Sequence, residues 1–459
     1  MKSMKSTLPA LVATLAIIQA AAADNPIIQT RHTADPAPMI ANGKVYLYTG
    51  HDEDNATVFV MKEWRCYSTK DMVNWTDEGS PLSVKDFSWV HDDAWAGQAI
   101  ERNRKFYYYV PMTAKGLGMS VGVAVSDSPT GPFHDPLGHP LVHTGVGDID
   151  PTVYIDNDGQ AYLYWGNPQL FYVKLNKDMV SYDQSVGIVK VPLTEEGFGK
   201  REGNKDRATL YEEGPWFYRR GSLYYMVFAA TGVPEALAYS TSASPTGPWT
   251  YRGIIMPKGL PKLAFTNHAG VLDYKGHSYL FYHNEDLPGG GGFDRSVCLE
   301  EFKYNPDGSF PTILPTKDGP APIGHLNPYE STKAATIAWE TGVETETSAT
   351  DGVYVTDIND GDYIKVKSVD FGSRGAKSFE GTVASLAVGA SMEVHLDGVA
   401  GPLIATLAVP DTGGLDRWKV QTASVSGARG VHDVFFVFRG SQGEKIFNFL
   451  SWKFRKSSR

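Results

Sequence analysis

Five times along the chain a turn gives way to a short run crowded with aromatic and aliphatic residues. The copies read Gly43-Lys-Val-Tyr-Leu-Tyr, Arg104-Lys-Phe-Tyr-Tyr-Tyr, Gly159-Gln-Ala-Tyr-Leu-Tyr, Gly221-Ser-Leu-Tyr-Tyr-Met and Gly276-His-Ser-Tyr-Leu-Phe. Their central tyrosines, Tyr46, Tyr107, Tyr162, Tyr224 and Tyr279, are separated by 61, 55, 62 and 55 residues. A period of that length suits a four-stranded blade with long loops, so the pattern predicts a five-bladed β-propeller. Helical repeats fit poorly, because the units are rich in Tyr, Val, Thr and Gly and show little apolar spacing at three and four residues. Five unrelated hairpins in a sandwich would leave the spacing unexplained. A second echo supports the count: Ser126-Asp-Ser-Pro-Thr-Gly-Pro-Phe returns as Ser242-Ala-Ser-Pro-Thr-Gly-Pro-Trp, a Pro-Gly turn at matching places in two units.

From Thr316 to Pro328 the chain turns rich in Pro, Gly and Lys, which predicts a linker, placed at residues 319–328. Beyond it, Tyr363-Ile-Lys-Val-Lys, Met392-Glu-Val-His-Leu and Val434-Phe-Phe-Val-Phe alternate or run apolar at strand length, as an antiparallel β-sandwich would. The fold class is therefore all-β, with a propeller over residues 24–318 and a sandwich over 329–459. At the other end, Lys2 and Lys5 precede an apolar stretch from Leu8 to Ala23 that closes in small residues, the form of a secretory signal peptide over residues 1–23. The expected location is extracellular.

Removing the two signal lysines takes the net charge from −10 to −12, which argues against a nucleic-acid partner. No second stretch is long and apolar enough to suggest a membrane span. With only Cys66 and Cys298, no disulfide framework holds this protein together; sequence leaves both a bridge and two free thiols open, since it does not give their separation. The 24 Tyr, 21 Phe and 10 Trp suit β-structure and also suit sugar rings, which stack on aromatic planes. Asn55-Ala-Thr and Asn74-Trp-Thr match glycosylation acceptors.

Stepping back 11 or 12 residues from each repeat tyrosine reaches Asp35, Trp95, Asp150, Glu213 and His268. Equivalent positions of successive blades surround the central axis, so this shared register predicts one pocket holding all five side chains. Three carboxylates, an indole and an imidazole make a plausible glycosidase site. Inverting hydrolysis needs a protonated carboxyl beside the leaving oxygen and an ionised one holding a water across the sugar. A third carboxylate near the acid would raise its pKa by like-charge repulsion. Glu212, adjacent to Glu213, is a rival for the acid role. Taken singly, an Asp before Pro is commonly a turn residue, His268 an interior histidine and Trp95 a core aromatic; their coincidence in register favours function.

At these residues the chain resembles glycoside hydrolase family 43, the inverting five-bladed enzymes that act on xylan, arabinan and arabinoxylan. The likeness spans about residues 25 to 315. It implies that Asp35, in His-Thr-Ala-Asp-Pro, is the general base; that Asp150, in Gly-Asp-Ile-Asp-Pro-Thr, tunes and orients the acid; and that Glu213, in Glu-Gly-Pro, is the acid. It also implies a metal ion, usually calcium, beside His268, and no organic cofactor. Arg295, in Asp-Arg-Ser-Val, would contact sugar hydroxyls of the innermost subsite, which Trp95 and Trp89 would line.

The tail from Tyr329 to Phe454 resembles carbohydrate-binding module family 6, through Asp360-Gly-Asp-Tyr-Ile-Lys-Val, Val369-Asp-Phe-Gly, Gly430-Val-His-Asp-Val-Phe-Phe-Val-Phe-Arg-Gly and Phe447-Asn-Phe-Leu-Ser-Trp-Lys-Phe. The resemblance makes Trp418 a stacking platform and Asn448 a hydrogen-bonding partner for sugar. Two departures stand out: Lys333-Ala-Ala335 replaces the usual Glu-Ala-Glu calcium segment, and Asp357 stands where a second stacking aromatic is common. The module is then a weak binder or a structural partner of the propeller. The reading placed first is an exo-acting β-1,4-xylosidase that takes xylan or arabinoxylan oligosaccharides. An α-L-arabinofuranosidase trimming arabinoxylan side chains is the alternative, and a non-catalytic sugar-binding propeller the distant one.

Overall fold

The computed structural model describes residues 25–204, 206–441 and 445–456; the expected signal peptide lies outside them. Five antiparallel sheets form the blades. The first runs from inside outward through Thr33–Ala41, Lys44–His51, Glu63–Thr69 and Trp75–Ser83. The second is built on Gln98–Arg102, Lys105–Ala114 and Gly118–Ser126, with Val90–Asp92 paired to the end of its middle strand. Thr152–Ile155, Ala161–Trp165, Phe171–Leu175 and Val189–Lys190 make the third. Tyr211–Arg220, Leu223–Ala230, Ala236–Ser242 and Thr250–Met256 make the fourth. The fifth has three strands, Gly270–Tyr274, His277–Asn284 and Ser296–Phe302.

Each repeat predicted from sequence is the turn and second strand of a blade, and all five repeat tyrosines are buried. These strands run apolar because neighbouring blades cover both faces. Lys44–His51 is buried from Val45 to Gly50, whereas the outer strand Trp75–Ser83 alternates. The Pro-Gly echoes also have a purpose. Tyr48 of blade one donates its hydroxyl to Pro129 O, and Tyr164 of blade three donates to Pro245 O, both at 2.5 Å, so each turn is latched to the preceding blade. The missing outer edge of blade five is covered by the N-terminal segment. There Ile27 N–H donates to Val297 O (2.9 Å), and the Asn25 side chain bonds both N–H and C=O of Leu299.

The sandwich packs two sheets around Phe379, Phe436, Phe449 and Trp452. One sheet orders Glu344–Ser348, Gly352–Thr356, Asn448–Lys456, Ala376–Ala384 and Lys419–Ser424; the other orders Trp339–Thr341, Tyr363–Asp370, Val431–Arg439, Ala390–Leu396 and Leu403–Val409.

The predicted linker is not a free tether. Ile323 N–H donates to Asp71 O (3.1 Å), and Leu326 N–H to Ser368 O (2.9 Å), which pins the segment to both domains. Thr336–Ile337 then pairs with Thr76 and Trp75, adding a fifth strand to blade one. Ala335 O accepts from Asp77 N–H at 2.9 Å, so the residues that replace a calcium segment form the domain junction. Beneath it Arg65 Nη2 donates to both oxygens of Asp77 (3.0 and 2.9 Å), and Thr345 of the sandwich donates to the same carboxylate (2.8 Å). Asn74 is buried there and hydrogen-bonded to Asp71 and Lys367, which removes it as a glycosylation acceptor in the folded protein. Cys66 and Cys298 are both free and buried.

Candidate active site

Every blade sends one short segment to the axis. The central pocket is lined by Asp35 and Pro36, Ala96 and Gly97, Asp150 and Pro151, Gly214 and Pro215, and His268 and Ala269. Asp35 (φ 55°) and Asp150 (φ 57°) occupy the left-handed region, which is uncommon outside glycine and costs about 1–3 kcal/mol. Asp35 also lies at a register shift between Ala34 and Ala37. In blade four the left-handed residue before proline is Gly214 (φ 58°), and the carboxylate comes from Glu213, one position earlier. A Cβ on Gly214 would lie 2.7 Å from His268 Cδ2, so glycine is what admits the imidazole.

His268 stands among the three carboxylates. Its Nδ1 is 3.0 Å from Asp35 Oδ1, and its Nε2 is 3.4 Å from Glu213 Oε1 and 3.8 Å from Asp150 Oδ2. Asp150 Oδ2 accepts the Gly214 N–H at 3.0 Å. Glu213 Oε2 accepts from Asn167 Nδ2, and Asn167 Oδ1 accepts in turn from Arg207 (3.1 Å). Glu212 is spent otherwise: Arg201 and Arg207 both pair with it, which removes it as a rival acid.

Arg295 is buried, with Nε and Nη2 on the two oxygens of Asp52 (both 2.9 Å) and Nη1 on Asp35 Oδ1 (3.1 Å) and Thr266 Oγ1 (3.4 Å). Its donors therefore hold the first aspartate instead of standing free for sugar hydroxyls, as the resemblance had implied. His283 completes that side. Thr266 O can only accept, at 2.8 Å from Nε2, and Asp35 N–H can only donate, at 3.2 Å from Nδ1, so the ring is neutral with its proton on Nε2.

The protonation states follow from these contacts. Burial alone would raise Asp35, but the charges of Arg295 and His268 outweigh it and hold the carboxylate far below its usual range. Burial lowers His283 to about 3, helped by the charge of Arg295. His268 loses by burial and gains more from Asp35 and Asp150, which raise it well above its ordinary value. Burial, then repulsion from Glu213 and Asp35, pushes Asp150 up to about 7 against the opposing charge of His268. Glu213 is held down, against burial, by His268 and Asn167.

Two tryptophans sit differently from expectation. Ala96, not Trp95, faces the axis; Trp95 lies on the flank in a cluster with Phe59, Phe265 and Phe293 whose touching rings have centroids 4.8–6.2 Å apart, and the Arg295 guanidinium lies over the Phe59 ring. Trp89 packs edge-on to Phe87 and donates to Asp135 (2.8 Å), contacts that belong to the side of blade two and not to the pocket. In the sandwich Asn448 is buried and donates to Leu415 O (2.9 Å), so its amide is already engaged. Trp418 is half-buried edge-on to Tyr354, and Lys445 pairs with Asp357.

A profile of glycosyl hydrolases family 43 matches residues 23–310. The chain belongs to that family. A profile of carbohydrate binding module family 6 matches residues 333–456, which accounts for the sandwich of this family 43 glycosyl hydrolase. An arabinoxylan arabinofuranohydrolase of Bacillus subtilis is 34% identical over 94% of this chain and 92% of its own. A xylosidase/arabinosidase of Bacteroides ovatus is 31% identical over 61% of this chain and 95% of its own. Among solved structures, a B. subtilis family 43 arabinoxylan arabinofuranohydrolase in complex with cellotetraose superposes with a TM-score of 0.82 at 30% identity, covering 95% of this chain and 99% of that one.

Asp52, Asn167 and His283 escaped the sequence reading. The only hint was the acid-rich run His51-Asp-Glu-Asp.

Proposed function

We propose that this glycosyl hydrolase is an inverting α-L-arabinofuranosidase that removes arabinose side chains from arabinoxylan. This reverses the order of the two readings above. Similarity to an arabinoxylan arabinofuranohydrolase across propeller and sandwich alike is the observation that carries it. Relatives whose names include xylosidase cover only 61–63% of this chain, and two of the three are named for arabinosidase activity as well, so release of xylose is the second reading. The N-terminal pattern supports action outside the cell.

In this reading Asp35 is the base. Arg295 and His268 keep it ionised and aimed, so it can take a proton from water attacking the anomeric carbon. Glu213 gives its proton to the leaving oxygen. Asp150, raised to about 7, keeps a proton near neutral pH beside the same His268 nitrogen, and passing it on would charge the acid that His268 and Asn167 otherwise hold low. Stacking on the Phe59, Phe265 and Phe293 wall would hold the apolar face of the sugar.

Asp150, Glu213 and His268 offer donor atoms within 4.8 Å of one another, a spacing that suits a cation once His268 has given up its proton, because an imidazolium has no lone pair to donate. Calcium held there would balance the buried negative charge. Chelation should then lower the thermal midpoint, and added calcium should restore it; an unchanged midpoint removes the ion.

The deciding assay compares products from wheat arabinoxylan and from xylobiose. Free arabinose from the polymer, with xylobiose left intact, is the expected result, and xylose alone would overturn it. Glu213→Ala should cost far more on the polymer than on a 4-nitrophenyl arabinofuranoside, whose leaving group needs little protonation.

A further inference from the structure

Glu235 is used by none of the chemistry above, yet it is only 2% exposed beside it. Its backbone N–H donates to Phe265 O (2.9 Å), and its carboxylate Oε2 accepts the buried N–H of Asn267 (2.9 Å). These two bonds bracket the stretch that delivers His268 to the catalytic carboxylates. The same stretch offers Thr266 O to His283 and Thr266 Oγ1 to Arg295. It lies outside any strand, just before Gly270–Tyr274, so no sheet ladder fixes it. A buried carboxyl group is costly unless its hydrogen bonds repay it.

We propose that Glu235 is a positioning residue: its carboxyl group fixes the Phe265–His268 stretch and thereby sets His268 between Asp35 and Glu213. The inference rests on reading those two residues as base and acid. Burial, and then the charge of Glu213, pushes Glu235 up to about 8, so near neutral pH glutamine imitates it closely. Alanine removes the acceptor, and aspartate withdraws it by one methylene.

The test measures kcat and KM on a 4-nitrophenyl arabinofuranoside and on arabinoxylan, with thermal midpoints for every variant. Glu235→Ala and Glu235→Asp should lose about 10- to 100-fold in kcat, the scale of a small misplacement of catalytic groups, with KM nearly constant. Glu235→Gln should stay close to wild type. Combined with His268→Ala, the Glu235→Ala change should cost little more, because its effect passes through that ring. Wild-type kcat in Glu235→Asp, an equal loss in Glu235→Gln, or multiplying losses in the double variant would each overturn the proposal. Should Glu235→Ala fail to fold, the Gln and Asp variants still decide it. A wild type inactive on every pentoside would instead defeat the functional reading.

Discussion

Arg295 lies between two carboxylates with different tasks. Asp35 is the proposed base, and Asp52 keeps the guanidinium in place. Removing one partner of a buried ion pair strands the other, so Asp52→Ala should lose about 3–5 kcal/mol in chemical denaturation, and activity should fall with it. His283 supplies a pH signature. Its ring stays neutral down to about 3 when folded, whereas an unfolded histidine takes a proton near 6.5. The unfolded chain therefore binds the extra proton between these values. The stability that His283 contributes is complete above pH 6.5 and drains away as pH falls, by about 1.4 kcal/mol per unit. Asp150 and Glu235 act oppositely, since their raised values make folding more favourable as pH drops from about 8 toward 4. Comparing wild type with His283→Gln over pH 4–6 isolates the first effect; equal slopes would refute it. At this scale the sequence spoke through register. Asp35, Asp150, Glu213 and His268 were legible because each sits a fixed step from a blade tyrosine. The same step reached Trp95, one residue off the axis. Asp52, Asn167 and Glu235 lie in loops or at strand starts outside that register, and their partners are distant in sequence.

Blades cohere through edges as well as cores. The Tyr48 and Tyr164 hydroxyls each cross to a proline-rich turn of the next blade, and Tyr225 repeats the device by donating to Gly308 O (2.8 Å). Tyr48→Phe should cost about 0.5–1.5 kcal/mol, the net worth of one such bond. Urea unfolding would show it as a lower midpoint at constant slope. The second strands could be read from sequence because burial on both faces imposes an unbroken apolar run. The fourth edge of blade five could not, since the segment at Asn25 to Thr33 completes it from more than 260 residues away.

Across the whole molecule, propeller and sandwich share a sheet. Removing the sandwich would strip Thr336–Ile337 from blade one, uncover the outer edge at Trp75–Ser83 and take Thr345 from the Arg65–Asp77 pair. An open strand edge invites association. Residues 25–318 alone should therefore unfold at a lower temperature and aggregate, and the intact chain should melt in one transition; two well-separated transitions would contradict the shared sheet. The sandwich itself was legible from its strands, while the fusion was not, because the Pro- and Gly-rich stretch between the domains reads as a tether in any sequence. One consequence concerns heredity. A seam that runs through hydrogen-bonded strands cannot be cut and rejoined at leisure, so recombination that dropped this tail or exchanged it for another module would have to supply blade one with a different cover for its outer edge.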